Sequence, residues 1–366
     1  MRGKHEQQAE LYCLVDHNRL IPKEHPIRAI KKMADAALRE ISPVFDEMYA
    51  ATGRPSIPPE RLLKGSLLMA LYTVRSERLF CEQLAYNLLF KWFLDMNMTE
   101  EAFDHSTFSA NRTRLMEHDV AKRFFFAVVT QAREARLMSD EHFSVDGTLI
   151  DAWASMKSFR PKGEKPGDGP PNEGSGSNGW MNFKGEKRSN ATHESKTDPE
   201  AKLYKKSNGQ EARLKFSMHG MMENRNGMLV DIRIGEANGT EERTAAKTML
   251  DETLPGTKRI TLGGDKGYDT ADFISDCRDR NVTPHVAMNE KRPGGSTLDE
   301  RTRRHEGYRI SQVIRKRAEE IFGWCKTVGN FRRTRYRGVK KNQLAAYLVG
   351  AAYNMVRMVR LMPAPT

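Results

Sequence analysis

Cysteine is scarce in this chain, and the little there is forms no pattern. Cys13, Cys81, Cys277 and Cys325 are scattered over 366 residues without a CxxC pair. That excludes a zinc ribbon and a disulfide framework and suits a reducing cytoplasm. Long apolar runs are missing too. The longest, Leu344 to Val356, is shorter than a membrane span and is interrupted by Asn354, and the opening MRGKHEQQAELYC has no apolar stretch. Neither secretion nor membrane insertion is expected, and the reading is a cytoplasmic protein. Acids are sparse in one place. The whole chain sets 48 Asp and Glu against 60 Lys and Arg, a formal charge of +12, yet Arg301 to Lys340 holds 3 acids and 13 cations. Most of the net charge therefore lies in forty residues, and nucleic acid is a better partner for so dense a footprint than plain solvent.

What is present falls into two halves. Residues 25 to 135 read as helices: one from Arg61 to Val74 after Pro58-Pro59-Glu60, another from Leu79 to Leu94, and a short one from Phe108 to Met116 behind the capping run Asp104-His105-Ser106-Thr107. Arg112 and Arg114 lie on the short basic helix, which is either a DNA-reading element or the charged face of a helical bundle. From Phe143 the period changes to that of strands: FSVDGT, KFSMHGMME, GMLVDIRI, RITLGGD and TPHVA, with Asn224-Arg225-Asn226 as a hairpin turn. Helices are expected between the later strands, and a long one from about Ser311 to Val328 after them. The order predicts an α/β mixed sheet covered by helices. Residues 156 to 200, rich in Gly, Pro, Ser and charge, are expected to be a mobile insertion that packs no core. The division expected is a helical DNA-binding and dimerisation domain over 1–138, a catalytic domain over 139–340, and a C-terminal helix over 341–366 packing on the core.

Two of the strands finish oddly. Asp146 follows Phe143-Ser144-Val145, and Asp265 follows Ile260-Thr261-Leu262-Gly263-Gly264. An aspartate at the carboxyl end of a buried strand costs desolvation energy unless a cation meets it. If the two strands are neighbours, the acids sit side by side, and the usual remedy is a shared proton or a divalent ion. A third acid is expected from the last helix, whose buried stripe is Ile314, Ala318, Ile321, Cys325 and Val328. Glu319 and Glu320 lie on either side of that stripe. Glu319 shares its flank with Phe322, an aromatic that wants cover, and with Arg315 and Lys326, two cations suited to a phosphate held by a metal, and this favours it over Glu320. Asp146, Asp265 and Glu319 would then surround two Mg²⁺ ions, with Mn²⁺ as substitute, for in-line displacement at phosphorus. Asp151 is read as a local cap or ion-pair partner, Trp153 as packing or as a stacking platform for a base, and His142, His193, His219 and His285 as ordinary residues, since they show no ligand spacing.

These residues resemble a known family. VDGT, GGDKGYD and RKRAEEIFGWCKT with FRRTRYRG, together with FDHSTFSANRTRL, THESKTDPEAKL, MMENRNG and EANGTEER, are similar to the DDE transposases of bacterial insertion sequences, in the branch that groups insertion sequences four and five. The resemblance covers about residues 10 to 360. It implies a ribonuclease-H-like catalytic core, cleavage of element ends in double-stranded DNA, attack of the freed 3′-OH on target DNA, and a homodimer or larger synaptic assembly. The family signature around the last acid is Tyr, two residues, Arg, three residues, Glu, six residues, Lys. Arg315, Glu319 and Lys326 match its spacing, which settles Glu319, while Gln312 stands where the tyrosine is expected. Arg315 and Lys326 are then expected on DNA phosphates, as are Arg332, Arg333, Arg335 and Arg337. A nuclease without strand transfer and a DNA-binding regulator without catalysis are the alternatives.

Overall fold

A computed structural model describes residues 17–49, 56–163, 188–205, 211–254, 258–291 and 293–362. Among them the chain begins with helices: α1 (His17–Leu20), α2 (Pro26–Glu40), α3 (Ser42–Met48), α4 (Pro59–Leu71), α5 (Glu77–Tyr86), α6 (Leu88–Phe93), α7 (Ser106–Glu117) and α8 (Val120–Glu134). Local chemistry sets their ends. Proline opens α2 and α4, where its missing N–H is one the helix would leave unbonded anyway. The run from Leu79 to Leu94 is two helices and not one, because the Asn87 side chain accepts from the Phe90 N–H at 3.1 Å and starts α6 afresh.

The second half follows as β1 (His142–Asp151), β2 (Phe159–Pro161), β3 (His193–Ser195), β4 (Lys202–Tyr204), β5 (Arg213–Glu223), β6 (Leu229–Glu236), α9 (Glu241–Thr253), β7 (Ile260–Gly264), α10 (Ala271–Asp279), β8 (Val282–Val286), α11 (Glu300–Arg304), α12 (Glu306–Ile314), α13 (Ala318–Lys326) and α14 (Val339–Leu361). The sheet is mixed. β6, β5 and β1 pair antiparallel in that order, β7 joins β1 in parallel, β8 joins β7 in parallel, and β4 pairs with the start of β5. This is the ribonuclease-H-like arrangement that the resemblance implies. α14 explains how the halves cohere: it packs on α2, α4 and α8 on one side and on β6 on the other. Its residues from Ala346 to Met355 are all buried, each large apolar side chain contributing roughly 2 kcal/mol.

Two glycines identify the faces of the sheet. A Cβ on Gly220, opposite Asp146 in the register, would meet the Phe322 ring of α13 at 3.4 Å. A Cβ on Gly147 would meet Glu242 of α9. Neighbouring strand residues point to opposite faces, so α13 covers the face of Asp146 and α9 covers the other.

Three expectations change. The helix expected from Ser311 to Val328 starts earlier, at Glu306, where the His305 ring accepts from Gly307 N–H, and a tight 3₁₀ turn over Arg315–Arg317 divides it into α12 and α13. The insertion is not wholly without packing. β2 and β3 pair antiparallel at its two roots, Phe159 and Ser195 are buried, and the carboxylates of Asp198 and Glu200 accept from the Gly338 and Val339 N–H groups ahead of α14. Its centre, 164–187, lies outside the described residues, as do Cys13 and the opening segment. The third change concerns Asp146, which is not at a strand end.

Candidate active site

β1 continues five residues past Asp146, held by β5 all the way to Asp151. What stops near Asp146 is the pairing with β7, whose last register pair is Ser144 with Gly263. Two residues on, the same register brings Asp146 level with Asp265, so the acids adjoin because β7 ends there. The edge of β1 is taken up again at Asp151. Its N–H donates to the Arg332 carbonyl at 2.9 Å and its carbonyl accepts from Thr334 N–H at 2.8 Å. Between those two contacts the edge of β1 carries no strand, and Asp146 sits in that gap.

Electrostatics in the gap are unbalanced. Burial, helped by the charges of Asp265 and Glu319, pushes the Asp146 carboxyl up to about 6. Its Oδ1 accepts from its neighbour's N–H, that of Gly147, at 2.7 Å, and the carboxylate of Asp265 accepts from Gly267 N–H at 2.8 Å. Among the described residues no Lys, Arg or His lies within ion-pair distance of Asp146, Asp265 or Glu319. Glu319 stands in the first turn of α13 and acts on Asp146, whereas Glu320 acts on Tyr353 of α14. The oxygen donors, opposed only in part by the charge of Arg315, fit a hard divalent cation. As the side chains stand, no three His, Cys, Asp or Glu among the described residues come close enough to hold one.

The surrounding cations differ in their engagements. Arg315 acts on Asp146, and its Nε donates to Gln312 Oε1 at 3.0 Å while Gln312 Nε2 donates to the His285 carbonyl at 2.6 Å. Gln312, the departure from the signature, thus anchors the arginine. Lys326 Nζ donates to Thr148 Oγ1 at 2.5 Å, beside the gap. Arg333 donates to the Ala152 and Trp153 carbonyls and lies 5.7 Å over the Trp153 ring, which is 49% exposed. Arg332 and Arg337 are exposed, and Arg335 is half-buried against Tyr336 and Met69. Asp151 pairs with Lys215 at 2.9 Å.

Arg112 and Arg114, expected on DNA, are engaged within the protein. Arg112 binds Glu77 and stacks on Tyr336 at 4.7 Å, and Arg114 stacks on Tyr49 at 4.6 Å and donates to Asn111. A carboxylate and two aromatic faces hold both half-buried guanidiniums against the protein, so α7 joins the basic segment to α5.

Reading the residues alone missed Glu242 and His219. A Cβ on Gly147 would lie 2.8 Å from His219 Nδ1 and 3.1 Å from Glu242 Oε1, and one on Gly267 would lie 3.1 Å from Glu242 Oε2 and 3.0 Å from Asp265 Oδ1. Burial, then the charges of Asp265 and Asp146, raise the Glu242 carboxyl. His219 is 1% exposed and neither ring nitrogen has a hydrogen-bond partner. Burial pushes its pKa down to about 4, so the ring is neutral. The only signal in the sequence was a glycine after Asp146 and an acid in EANGTEER.

Comparison with known proteins gives the family. The model described as Transposase domain (DUF772) matches residues 15–114, and that described as Transposase DDE domain matches residues 181–355. No curated protein matches the chain. Among solved structures, the piggyBac transposase synaptic complex with hairpin DNA is 9% identical, covering 94% of this chain and 77% of its own, at a TM-score of 0.41. A pre-cleavage Mos1 transpososome is 8% identical over 85% of this chain and 82% of its own at 0.21, and the Mos1 mariner paired end complex with Mn is 10% identical over 92% and 94% at 0.21. Scores this low carry no argument, and the assignment rests on the two family models. With one transposase model over the helical first part and the other over most of the sheet and the helices of the site, the chain belongs to the DDE transposases of insertion elements, enzymes that cut DNA and transfer its strands.

Proposed function

We propose that this transposase cuts the ends of an insertion element and joins the freed 3′-OH to target DNA, with Asp146, Asp265 and Glu319 as ligands of two Mg²⁺ ions. The observation that carries this reading is the group of mutually repelling carboxylates in the gap along β1, where burial and the charges of Asp265 and Glu319 raise Asp146 against the opposing charge of Arg315. Bound there, divalent ions supply Lewis acidity to an in-line displacement at phosphorus. The protein does the rest. Asp146 holds its oxygens from within β1 and Asp265 from just past the end of β7, where it caps the turn that follows; Glu319 approaches from α13, and Arg315, oriented by Gln312, neutralises phosphate charge. Arg332, Arg333 and Arg337, with Lys326 inside, guide the backbone past the acids without reading bases. Arg335 supports that path from within.

The helical first part, 1–138 in this reading, binds element ends and brings two protomers together. Two ends must be processed in concert, so the working unit is a dimer or larger synaptic assembly on DNA, and the protein resides in the cytoplasm on the nucleoid. The test uses purified protein, a labelled element-end duplex and Mg²⁺, comparing wild type with Asp265→Asn. Joined products that disappear in a variant still binding the duplex support the reading. Cleaved but never joined products would identify a nuclease, and full activity in Asp265→Asn would refute the site. Replacing Arg332 and Arg333 together should flatten the salt dependence of DNA binding by about two units of slope.

A further inference from the structure

Away from the carboxylates, on the face of the sheet to which Asp146 points, the protein encloses a cavity of about 950 Å³ between α12 and the starts of β1, β7 and β8. His142 in its wall stands four residues before Asp146 and on the same side of β1, which sets the cavity about 13 Å back along the strand. Volumes of roughly 300 to 1,000 Å³ are those that enclose small organic ligands. A DNA duplex is too wide to enter, whereas one or two unpaired nucleotides fit.

The rim of the cavity is cationic. Arg225 in the turn before β6, Arg259 ahead of β7, Arg278 at the end of α10 and Arg301 in α11 reach this one space from four separate parts of the chain. The two acids of the wall are already engaged, Asp299 by Arg278 and Glu141 by Lys258 at 3.0 Å. Among the described residues Arg225, Arg259 and Arg301 make no ion pair, all three are exposed, and Arg259 Nε donates to the Thr283 hydroxyl at 2.9 Å. The inner wall differs. Ile310 and Ile314, one turn apart on α12, and Pro284 of β8 make it apolar, and Ile310 is left 48% exposed. Beside them His285 and Ser311, both buried, share a hydrogen bond at 2.7 Å. Burial, then the charges of His305 and His142, push the His285 ring down to about 4, so it is neutral at physiological pH.

A cationic rim and an apolar wall suit the two halves of a nucleotide: the phosphate takes charge-assisted hydrogen bonds from guanidiniums, and the flat base covers apolar side chains. A surface that only attracts duplex DNA needs no enclosed apolar wall, and a packing gap has no reason to gather four arginines. We propose that this cavity is a binding site for a phosphate ester of nucleotide size, with the phosphate on Arg225, Arg259 and Arg301 and the base against Ile310 and Ile314. An unpaired end of a DNA strand and a free nucleotide both carry that chemistry. The site is distinct from the carboxylates and does not depend on the metal bound there.

The test is calorimetric titration of the full chain in EDTA with dAMP, deoxyadenosine and inorganic phosphate. Wild type should bind dAMP saturably, one per chain, at least about tenfold more tightly than either fragment, since each fragment fills only half of the site. Replacing Arg259 and Arg301 together by Gln should weaken dAMP by about tenfold or more. Ile310→Ser changes no charge and should weaken dAMP by about fivefold while leaving phosphate binding as it was. All three positions are exposed, so the variants should keep the wild-type thermal midpoint. Wild-type affinity for dAMP in Ile310→Ser would mean that charge alone attracts it, and no saturable binding by wild type would equally overturn the site. Competition against labelled dAMP separates the two sources. Displacement by a duplex with two unpaired nucleotides at its 5′ end, but not by a blunt duplex of the same length, assigns the site to a strand end. Displacement by neither assigns it to a free nucleotide, and equal displacement by both would overturn it in favour of a general phosphate surface.

Discussion

Two clusters of charge in this molecule follow opposite rules. In the helical half, Lys31 of α2 and Lys64 of α4 share Asp35 and Asp95, with Lys31 at 2.7 Å from both acids and Lys64 at 2.5 Å from Asp35 and bonded also to Asp95. Burial works against the charge of Asp95, but the hydrogen bonds from the two lysines hold its carboxyl below the ordinary value. In the sheet, Asp146 feels the charges of Asp265 and Glu319, and Glu242 those of Asp265 and Asp146, with no ion pair to balance them among the described residues, and Asp146 is pushed up to about 6. Equal numbers of charges close a fold in the first place and leave it under strain in the second. Buried acids that a protein does not pair itself are acids waiting for an outside partner.

The sharpest way to break this contrast is catalytic. Glu319→Gln should lower cleavage of an element-end duplex by about a thousandfold, the scale on which losing a group that acts only in the transition state is felt. Glu320→Gln, turned toward α14, should stay within about twofold, and equal losses in the two variants would undo the assignment. Next comes stability. Changing both Asp35 and Asp95 to Asn strands Lys64, whose side chain is 5% exposed, and should cost about 3 kcal/mol in urea unfolding.

The same measurement on Asp146→Asn should go the other way. A carboxyl raised from 3.8 to about 6 in the folded state takes away stability as pH climbs through that window, and the loss is complete above it. In EDTA at neutral pH the amide should therefore gain about 2 kcal/mol, and below pH 3.8 the gain should vanish. A destabilised Asp146→Asn at neutral pH would mean the acid is paired after all. Smallest of all, Gln312→Ala removes one hydrogen bond to Arg315 and should slow strand transfer by about fivefold, near 1 kcal/mol, with DNA affinity unchanged.

Much of this was legible beforehand. Asp146 and Asp265 stand out because strands that bury Phe143, Val145 and Leu262 have no local reason to carry an acid next to a glycine. Glu319 was favoured by its flank and chosen through the spacing of the family signature that the resemblance supplied. Glu242 did not, because an acid in the first turn of a helix is so often helix chemistry that its type and position say nothing more. The contacts of the α7 arginines were hidden for a related reason. A basic helix looks alike whether its cations meet phosphate or, as here, Glu77 and the rings of Tyr336 and Tyr49.

The amino-acid sequence by itself determined the helical and strand periods, the capping and breaking of individual elements, the basic segment near the end, and two of the acids, since these depend on neighbours along the chain. Only the tertiary structure decided where β7 leaves β1, and with it the gap at Asp146, because strand pairing is made between residues more than a hundred positions apart. It alone brought α9 and α13 to opposite faces of one strand, Glu242 on one and Glu319 on the other. Side chains from distant elements meet through packing, and packing leaves no fixed spacing in a sequence.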